Sequence, residues 1–297
     1  MTNVANVKSI ALMPTIGRFA PSPTGPLHFG SLVAALGSYL SAKSQGGHWL
    51  LRIEDIDPPR EQPGASQAII DLLSAYRLNP DQPGQLQSQQ SARHWQILQQ
   101  LIVADVAFAC YCSRSELNGS VHLGRCSAKA NAGRAPSYRF DSKRAPEHIE
   151  FVDQIQGPAH ENLWRSAGDF VLWRSDGLPS YQLACVVDDA DAGVTEVVRG
   201  LDLLDSTARQ IALQHALKLP TPNYAHLPLV IGQDGQKLSK QNLAPALDHG
   251  AGPTQLKAAL QTLGQAIPRP RDAREILAGA IKNWELQRVP RAERTRK

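Results

Sequence analysis

The chain has 297 residues, a net charge of +4 at neutral pH and 42% hydrophobic residues. These values exclude a disordered chain, a collagen-like repeat and a mini-protein that depends on disulfides, and they allow one large domain or two smaller ones. The sequence contains neither a run of about 18 apolar residues nor the apolar core of a secretion signal, so we expect a cytoplasmic protein.

The first part of the chain predicts strands that alternate with helices. In chain order these are a strand at 16–20, a helix at 30–45, a strand at 48–53 and helices at 65–76 and 91–103. A proline-rich loop connects the first strand to the first helix and ends near Pro26. A strand, a helix and a second strand in this order are typical of a βαβ unit, which places both strands in one parallel sheet.

The middle of the chain has a different character. Residues 106–168 hold three of the four cysteines, much loop and short predicted strands at 137–141 and 149–153, and we interpret them as an insertion. After it, the pattern predicts strands at 169–174, 194–198 and 225–231 and helices at 181–189 and 203–217. The predicted organisation is therefore 1–105, the insertion 106–168, 169–245, and a helical segment 246–297. The basic tail of that last segment is either a phosphate contact or a solvated terminus.

The proline-rich loop between the first strand and the first helix has features of an anion-binding site. It leads from a strand end into a helix N-terminus, where free backbone N–H groups and the helix dipole attract anions. Gly25 and Gly30 permit close approach of a ligand to the backbone, and His28 adds a side-chain donor. On these residues alone, an ordinary loop is an equal alternative.

A second polar cluster follows the Asp234-Gly235 turn. It places Lys237, Ser239 and Lys240 within four residues, and two lysines with a hydroxyl can bind polyphosphate. Short clusters of this kind are more often solvated surface. The cluster predicts a phosphate site only in combination with the first loop.

The cysteines have the spacing of a structural zinc site. Cys110 and Cys112 are followed by His122 and Cys126, and four soft ligands within 17 residues suit tetrahedral Zn²⁺. Three free thiols in a loop are the alternative. Cys185 lies in an apolar run, and we expect it to be a buried core residue.

Five motifs in the right order resemble the class I aminoacyl-tRNA synthetases and, more narrowly, their glutamyl-tRNA synthetase subfamily. They are Arg18-Phe-Ala-Pro-Ser-Pro-Thr-Gly25, Leu27-His28-Phe-Gly30, Arg52-Ile-Glu-Asp-Ile-Asp57, Val198-Arg-Gly-Leu-Asp202 and Lys237-Leu-Ser-Lys-Gln241. The resemblance covers about residues 16–245. Ser31 replaces the last residue of the His-Ile-Gly-His signature, and Leu238 and Gln241 depart from Lys-Met-Ser-Lys-Ser. Both lysines, His28 and Gly30 are kept.

The resemblance implies a fold and a set of site residues. The implied fold is α/β, a Rossmann-type parallel-sheet catalytic domain with a zinc-containing insertion and a short helical C-terminal part. The implied ATP-binding residues are His28, Gly30, Lys237, Ser239 and Lys240, of which Lys240 and His28 are also the expected catalytic residues. The implied glutamate-binding residues are Arg18, Phe19, Ala20, Pro21, Ser22, Glu54, Tyr181 and Arg199. One Zn²⁺ on Cys110, Cys112, His122 and Cys126, and Mg²⁺ with the ATP, complete the expected ligands.

The length after the lysine motif narrows the resemblance further. Full glutamyl-tRNA synthetases continue with a long anticodon-binding part, whereas residues 242–297 follow Gln241 here. The chain therefore most resembles the truncated paralogues, the glutamyl-Q tRNA(Asp) synthetases. That resemblance implies ATP-dependent activation of L-glutamate and its transfer to queuosine in the anticodon of tRNA(Asp), by a protein expected to be a monomer.

Three other functions remain open on the sequence. A truncated glutamyl-tRNA synthetase would charge the 3′ end of tRNA(Glu). A zinc-containing RNA-binding protein without catalysis would have no use for Lys240, His28 and Arg18. A small-molecule nucleotidyltransferase would share the histidine loop but gives no reason for Glu54 with Arg199.

Overall fold

The computed structural model describes residues 14–117, 121–125, 135–231, 245–269 and 272–292. Its strands are β1 (Ile16–Phe19), β2 (His48–Ile53), β3 (Gln85–Leu86), β4 (Ala107–Cys110), β5 (Ser137–Phe140), β6 (His148–Asp153), β7 (Gly157–Asn162), β8 (Val171–Trp173), β9 (Glu196–Gly200) and β10 (Asn223–Leu227). Its helices are α1 (Phe29–Ser44), α2 (Ala65–Ala75), α3 (Ser91–Val103), α4 (Arg114–Leu117), α5 (Leu163–Ser166), α6 (Tyr181–Asp191), α7 (Leu204–Ala216), α8 (Gly252–Thr262) and α9 (Ala273–Lys282). None of these helices is long and apolar enough to cross a membrane.

A parallel sheet forms the centre of the fold. β2 pairs in parallel with β1 and β3, and β10 pairs in parallel with β9 and β6. The two halves meet where the Thr195 amide donates to the Ile16 carbonyl at 2.9 Å. The resulting order is β3-β2-β1-β9-β10-β6, with β7 antiparallel at the β6 edge. This order matches the predicted Rossmann-type sheet. From β1, the chain first adds β2 and β3 on one side and later adds β9, β10 and β6 on the other, so the strand order reverses between β1 and β9.

Helix α1 packs tightly against this sheet. Leu36 and Leu40 are fully buried on its inner face, as the predicted helical stripe requires. Gly37 allows the close contact, because a Cβ atom there would lie 2.6 Å from Leu227 on β10. The start of α1 is therefore held at the carboxyl ends of β1 and β9, where open α/β sheets bind ligands.

A separate antiparallel sheet of β4, β5 and β8 stands beside the main one. Phe140 and Phe170 stack in its core with ring centroids 4.9 Å apart. By contrast β6 and β7 extend the main sheet, although the sequence places both within the insertion. The C-terminal helices α8 and α9 cover α1, which confirms the predicted helical character of this part of the chain.

Candidate active site

A first cavity, of about 420 Å³, opens where the strand order reverses. Its lining includes Phe19, Ser22, His28, Gly30, Asp202 and Val230. The loop after β1, the start of α1 and the ends of β9 and β10 thus surround one space. This is the place where the sheet topology and the helix N-terminus both favour a phosphate-containing ligand.

His28 caps the helix that points into this cavity. Its Nδ1 accepts a hydrogen bond from the Ser31 amide at 3.3 Å, which satisfies one of the free N–H groups of the first turn. An accepting Nδ1 leaves Nε2 as the nitrogen that carries the proton in the neutral imidazole. His28 therefore fixes the helix start, and its side chain belongs to the cavity lining.

The predicted lysine loop lies outside the described residues, as do Lys237, Ser239 and Lys240 themselves. The residues on either side of it are placed at the first cavity. Val230 lines the cavity before the loop, and after it Ala246 forms a β-bridge with His28. The Leu247 amide also donates to the Leu27 carbonyl at 3.0 Å. Both ends of the lysine segment are thus adjacent to the histidine loop.

A second cavity, of about 520 Å³, adjoins the first through Ser22, which lines both. Its inner lining includes Glu54 and Tyr181, and Cys112 and Arg139 lie on the side of the small sheet. The Glu54 amide donates to the Pro21 carbonyl at 2.9 Å, so the end of β2 is fixed to the loop after β1. A ligand in this cavity would lie beside a ligand in the first.

Asp189 on α6 bridges two arginines of neighbouring strands. One of its carboxylate oxygens accepts from Arg18 Nε at 3.1 Å and from Arg52 Nη1 at 2.6 Å. Arg52 Nη2 also donates to Glu54 at 3.2 Å. The four side chains are at most 9% exposed. This ion network connects β1, β2 and α6 directly behind the second cavity.

Burial and charge pairing shift the pKa values of these groups in opposite directions. Burial alone would raise the pKa of Asp189, but the charges of Arg18 and Arg52 hold it at about 2. Burial raises the pKa of Glu54 above its usual value, and the two arginines offset this only in part. Asp189 is therefore a permanent anion, whereas Glu54 would gain from an additional cation beside it.

Asp188, the neighbour of Asp189, fixes α6 to α3. It contacts His94 Nε2 at 2.7 Å and accepts from Gln87 Nε2 at 2.7 Å. Cys185 is buried as predicted, but its sulfur lies 3.6 Å from both Arg52 and Asp189. Burial raises the pKa of the Cys185 thiol to about 12. It is a neutral, inert neighbour of the ion network rather than part of an apolar core.

Arg199 on β9 is 5% exposed, and all five of its N–H groups have acceptors. Nε donates to His226 Nε2 at 3.0 Å. Nη1 donates to Gln210 at 2.8 Å and to the Tyr181 hydroxyl at 3.4 Å. Nη2 donates to Thr207 at 2.9 Å and to the Leu203 carbonyl at 3.2 Å. The longest of these contacts is to Tyr181, which lines the second cavity. Burial raises the pKa of Tyr181 above its usual value, so the phenol keeps its proton and can donate it to a ligand.

Three of the four predicted zinc ligands lie together. The ligand atoms of Cys110, Cys112 and His122 are all within 4.8 Å of one another, and Cys126 lies outside the described residues. His122 Nε2 is 3.5 Å from the Cys110 sulfur, while its Nδ1 is 3.2 Å from the buried carboxylate of Asp169. A carboxylate on the far nitrogen of a histidine is the usual arrangement around a ligated metal. The donor set fits Zn²⁺.

Comparison with known proteins identifies the family. The family model described as "tRNA synthetases class I (E and Q), catalytic domain" matches residues 15–122 and 121–251. This chain belongs to the class I tRNA synthetases. Its relatives include the "Glutamyl-Q tRNA(Asp) synthetase" of Pseudomonas aeruginosa, 45% identical over 93% of this chain and 95% of that protein. Another, with the same name, from Xanthomonas axonopodis pv. citri is 47% identical over 94% of this chain and 93% of that protein.

Solved synthetase structures share the fold. A glutamate tRNA ligase from Elizabethkingia meningosepticum, solved in complex with its amino acid, has a TM-score of 0.78 at 26% identity. The alignment covers 94% of this chain and 66% of that ligase, so the chain spans about two thirds of the length of its structural neighbour.

The synthetase fold brings most of the sequence-predicted residues together. Phe19, Pro21, Ser22, His28 and Gly30 line the first cavity. Glu54 and Tyr181 line the second, together with Ser22. Ala20 follows Phe19 at the end of β1, half-buried, and lines neither cavity. Arg18 and Arg199 are buried behind these cavities, each already paired within the protein.

Sequence reasoning missed the groups that hold those arginines. Asp189 anchors Arg18 and also pairs with Arg52, and His226 contacts Arg199. The pattern did contain a signal, because Asp188 and Asp189 interrupt an otherwise apolar helix and His226 lies in an apolar strand. A charged or imidazole side chain in a buried run needs a partner.

Proposed function

We propose that this chain activates L-glutamate with ATP and transfers the glutamyl group to queuosine in tRNA(Asp). The observation that carries the proposal is the pair of adjoining cavities, one at a capped helix N-terminus and one with a buried carboxylate above an arginine network. The relatives that bear the corresponding name support it, because their identity of 45–47% extends over nearly the whole chain.

The first cavity suits ATP. The N-terminus of α1 and the His28 N–H would meet phosphate oxygens, and Gly30 would allow their close approach. Lys237, Ser239 and Lys240 are the residues we expect to bind the phosphates, since Val230 before them lines this cavity and Ala246 after them bridges to His28. Mg²⁺ bound to ATP would neutralise phosphate charge, and Asp202 places a carboxylate in the same cavity lining.

The second cavity suits glutamate. The substrate ammonium would place a further cation beside Glu54, which already pairs with Arg52. The hydroxyl of Tyr181 accepts from Arg199 and can donate its own proton to a substrate carboxylate, so the charge of Arg199 would act through it. Arg18 would add its positive charge from behind the cavity, and Ser22 would lie between the two substrates. Glutamine has no side-chain carboxylate, so it would lose the interaction of that negative charge with Tyr181 and the arginines behind it.

The reaction needs positioning and charge neutralisation more than covalent help from the protein. An oxygen of the glutamate α-carboxylate attacks the α-phosphorus of ATP in line, and pyrophosphate leaves with its electron pair. Lys240 and His28 are the residues we expect to stabilise the charge that develops on the phosphates. A hydroxyl of queuosine then attacks the activated carbonyl, and AMP leaves.

We also propose a structural zinc ion on Cys110, Cys112, His122 and Cys126. His122 presents Nε2 toward the cysteines because Asp169 holds its Nδ1, and Asp169 is held in turn by the Ser142 amide at 2.9 Å and its hydroxyl at 2.8 Å. The metal would tie the end of β4 to His122 in the segment between β4 and β5, and the contact of His122 with Asp169 continues to the start of β8. Metal analysis of purified protein should give one zinc per chain, and Cys126→Ser should lower that content. Wild-type protein that contains no zinc, or a Cys126→Ser variant with an unchanged zinc content, would contradict the proposed zinc site.

ATP–pyrophosphate exchange tests the activation step. We expect exchange with glutamate in the absence of tRNA, and exchange with glutamine or aspartate to be far slower. The relevant comparison is kcat/KM for each amino acid at saturating ATP. Equal rates with glutamine, or exchange that requires tRNA, would contradict the proposal.

A further inference from the structure

A chain of buried hydrogen bonds crosses the sheet from β6 through β10 to Arg199. Asp153 ends β6, His226 is the second-last residue of β10, and Arg199 is opposite His226 in the register of β9. His226 Nδ1 is 2.6 Å from Asp153, and Arg199 Nε donates to His226 Nε2 at 3.0 Å. The side chains of Asp153 and His226 are fully buried. None of the sequence motifs includes either residue.

The partners of His226 determine its tautomer. A guanidinium nitrogen can only donate, so His226 Nε2 must be unprotonated where it meets Arg199. The proton of the neutral ring is then on Nδ1, where it is donated to the Asp153 carboxylate. Asp153 is fixed as well, because its other oxygen accepts from the backbone amides of Ile155 at 3.0 Å and Gln156 at 2.8 Å. The ring can therefore neither rotate nor exchange its proton without loss of a hydrogen bond.

The charges around the ring favour this neutral form. Burial lowers the pKa of His226, and the positive charge of Arg199 lowers it further, against the opposing effect of Asp153. Burial alone would raise the pKa of Asp153, but the hydrogen bonds from His226 and Gln156 hold it below its usual value. Asp153 is thus an anion that orients a neutral acceptor, and the acceptor faces a permanent cation.

We propose that Asp153 and His226 are positioning residues that hold Arg199 in the orientation in which its Nη1 donates to the Tyr181 hydroxyl. Through Tyr181, this orientation sets the preference of the second cavity for an anionic substrate side chain. The inference rests on the proposed glutamate activation. His226 acts through Arg199 and touches no substrate. Thr207 and Gln210 on α7 hold the opposite edge of the guanidinium, so that loss of the imidazole acceptor would let the group pivot away from Tyr181.

Two substitutions of His226 separate its two contacts. In His226→Gln the longer carboxamide can place an acceptor where Nε2 lies, so the contact to Arg199 is kept. In His226→Asn the shorter carboxamide reaches only the position of Nδ1, so the contact to Asp153 is kept and that to Arg199 is lost. Both variants bury an amide in place of the imidazole, which makes each the control for the other.

Steady-state exchange with the purified variants is the test. We expect His226→Asn to raise KM for glutamate on the order of tenfold, as for the loss of one charged hydrogen bond, and to narrow the preference for glutamate over glutamine. His226→Gln should stay within about threefold of wild type, and KM for ATP should be unchanged in both. Unchanged glutamate kinetics in His226→Asn, equal losses in the two variants, or a parallel rise in KM for ATP would overturn the proposal.

A second measurement does not depend on the folding of a variant. Nitrogen NMR of wild-type protein labelled in histidine should show His226 as a neutral ring with its proton on Nδ1 at neutral pH. A charged ring, or a proton on Nε2, would overturn the proposal. If wild-type protein does not activate glutamate at all, the proposed function fails, while the NMR result still reports on the positioning pair alone.

Discussion

Tyr181 joins the second cavity to Arg199, which is buried behind it. Its hydroxyl accepts from Arg199 at 3.4 Å, while its ring lies at the start of α6 beside the cavity. A neutral phenol in this position can donate a hydrogen bond to a substrate carboxylate while the guanidinium of Arg199 stays buried among its own partners. The selectivity of the site for an acid should therefore depend on one oxygen atom.

Removal of that oxygen gives a direct prediction. Tyr181→Phe should raise KM for glutamate about 10- to 100-fold, because a hydrogen bond to a charged group contributes about 1.5–3 kcal/mol. The phenyl ring keeps the packing, so thermal unfolding and KM for ATP should be close to those of wild type. Glutamate kinetics unaffected by the substitution would show that Tyr181 does not contact the substrate carboxylate.

The sequence predicted the site residues that lie in motifs, but it could not predict the buried residues that hold them by hydrogen bonds. His28 and Glu54, which lie in motifs, line cavities, and so does Tyr181, which only the family resemblance implied. The contact of Asp153 with His226 joins residues 73 positions apart and depends on the pairing of β6 with β10. No local pattern reports which strands become neighbours, so such partners emerge only from the fold.

Among the elements, those with a strong apolar pattern were predicted well. The predicted helix at 91–103 and strand at 48–53 have the observed bounds, and the other predicted helices that precede residue 246 agree within two residues. Strands β3, β4 and β7 were not predicted, and β3 has only two residues. β4 has only four residues, and β7 reads Gly-Pro-Ala-His-Glu-Asn, which lacks the alternation of a half-buried strand because it lies at the edge of the sheet.

The ion network between β1, β2 and α6 should contribute to stability in a pH-dependent way. Asp189→Asn would leave the buried charges of Arg18 and Arg52 without their shared carboxylate. We therefore expect a loss of about 3–5 kcal/mol in the free energy of unfolding at neutral pH. The pKa of Asp189 is lowered from 3.8 to about 2 on folding. Its contribution is therefore complete above pH 3.8 and is lost as the pH falls toward 2.

Denaturant unfolding of wild type and variant over a pH series would measure this contribution. The gap between the two unfolding free energies should be constant near neutrality and narrow in acid. Asp191→Asn is the matched control on the same helix, since Asp191 pairs with Arg93 at the surface, where a pair contributes about 0–1 kcal/mol. A gap that is independent of pH, or as small as that of the control, would contradict the role of Asp189.

The small sheet should depend on the proposed zinc ion. Alkylation of native protein at mildly alkaline pH should leave Cys185 unmodified, because it is buried and its pKa of about 12 keeps it a thiol. Chelation should make Cys110 and Cys112 reactive, since the proposed zinc ion would hold them as blocked thiolates. Mass spectrometry of peptides, with unfolded protein as the control, would report each site. Equal reactivity with and without chelator would argue against a bound metal.

In the whole molecule, the two cavities, the small sheet and the C-terminal helices are arranged around one parallel sheet. The predicted membership of the class I synthetases is confirmed by the family match and by relatives 45–47% identical over nearly the full length of both chains. The ATP and glutamate contacts stay predictions. The acceptor distinguishes the proposed function from the charging of tRNA(Glu), which the fold alone would also allow.

Transfer of labelled glutamate to tRNA tests this central claim most directly. Protein, ATP and labelled glutamate would be incubated with tRNA from cells that contain queuosine and from cells that lack it, and the labelled tRNA would be digested to locate the label. We predict label only in tRNA(Asp) from the first source and only in the anticodon fragment. Equal labelling of both tRNA pools, or label on the 3′-terminal adenosine of tRNA(Glu), would contradict the proposed function.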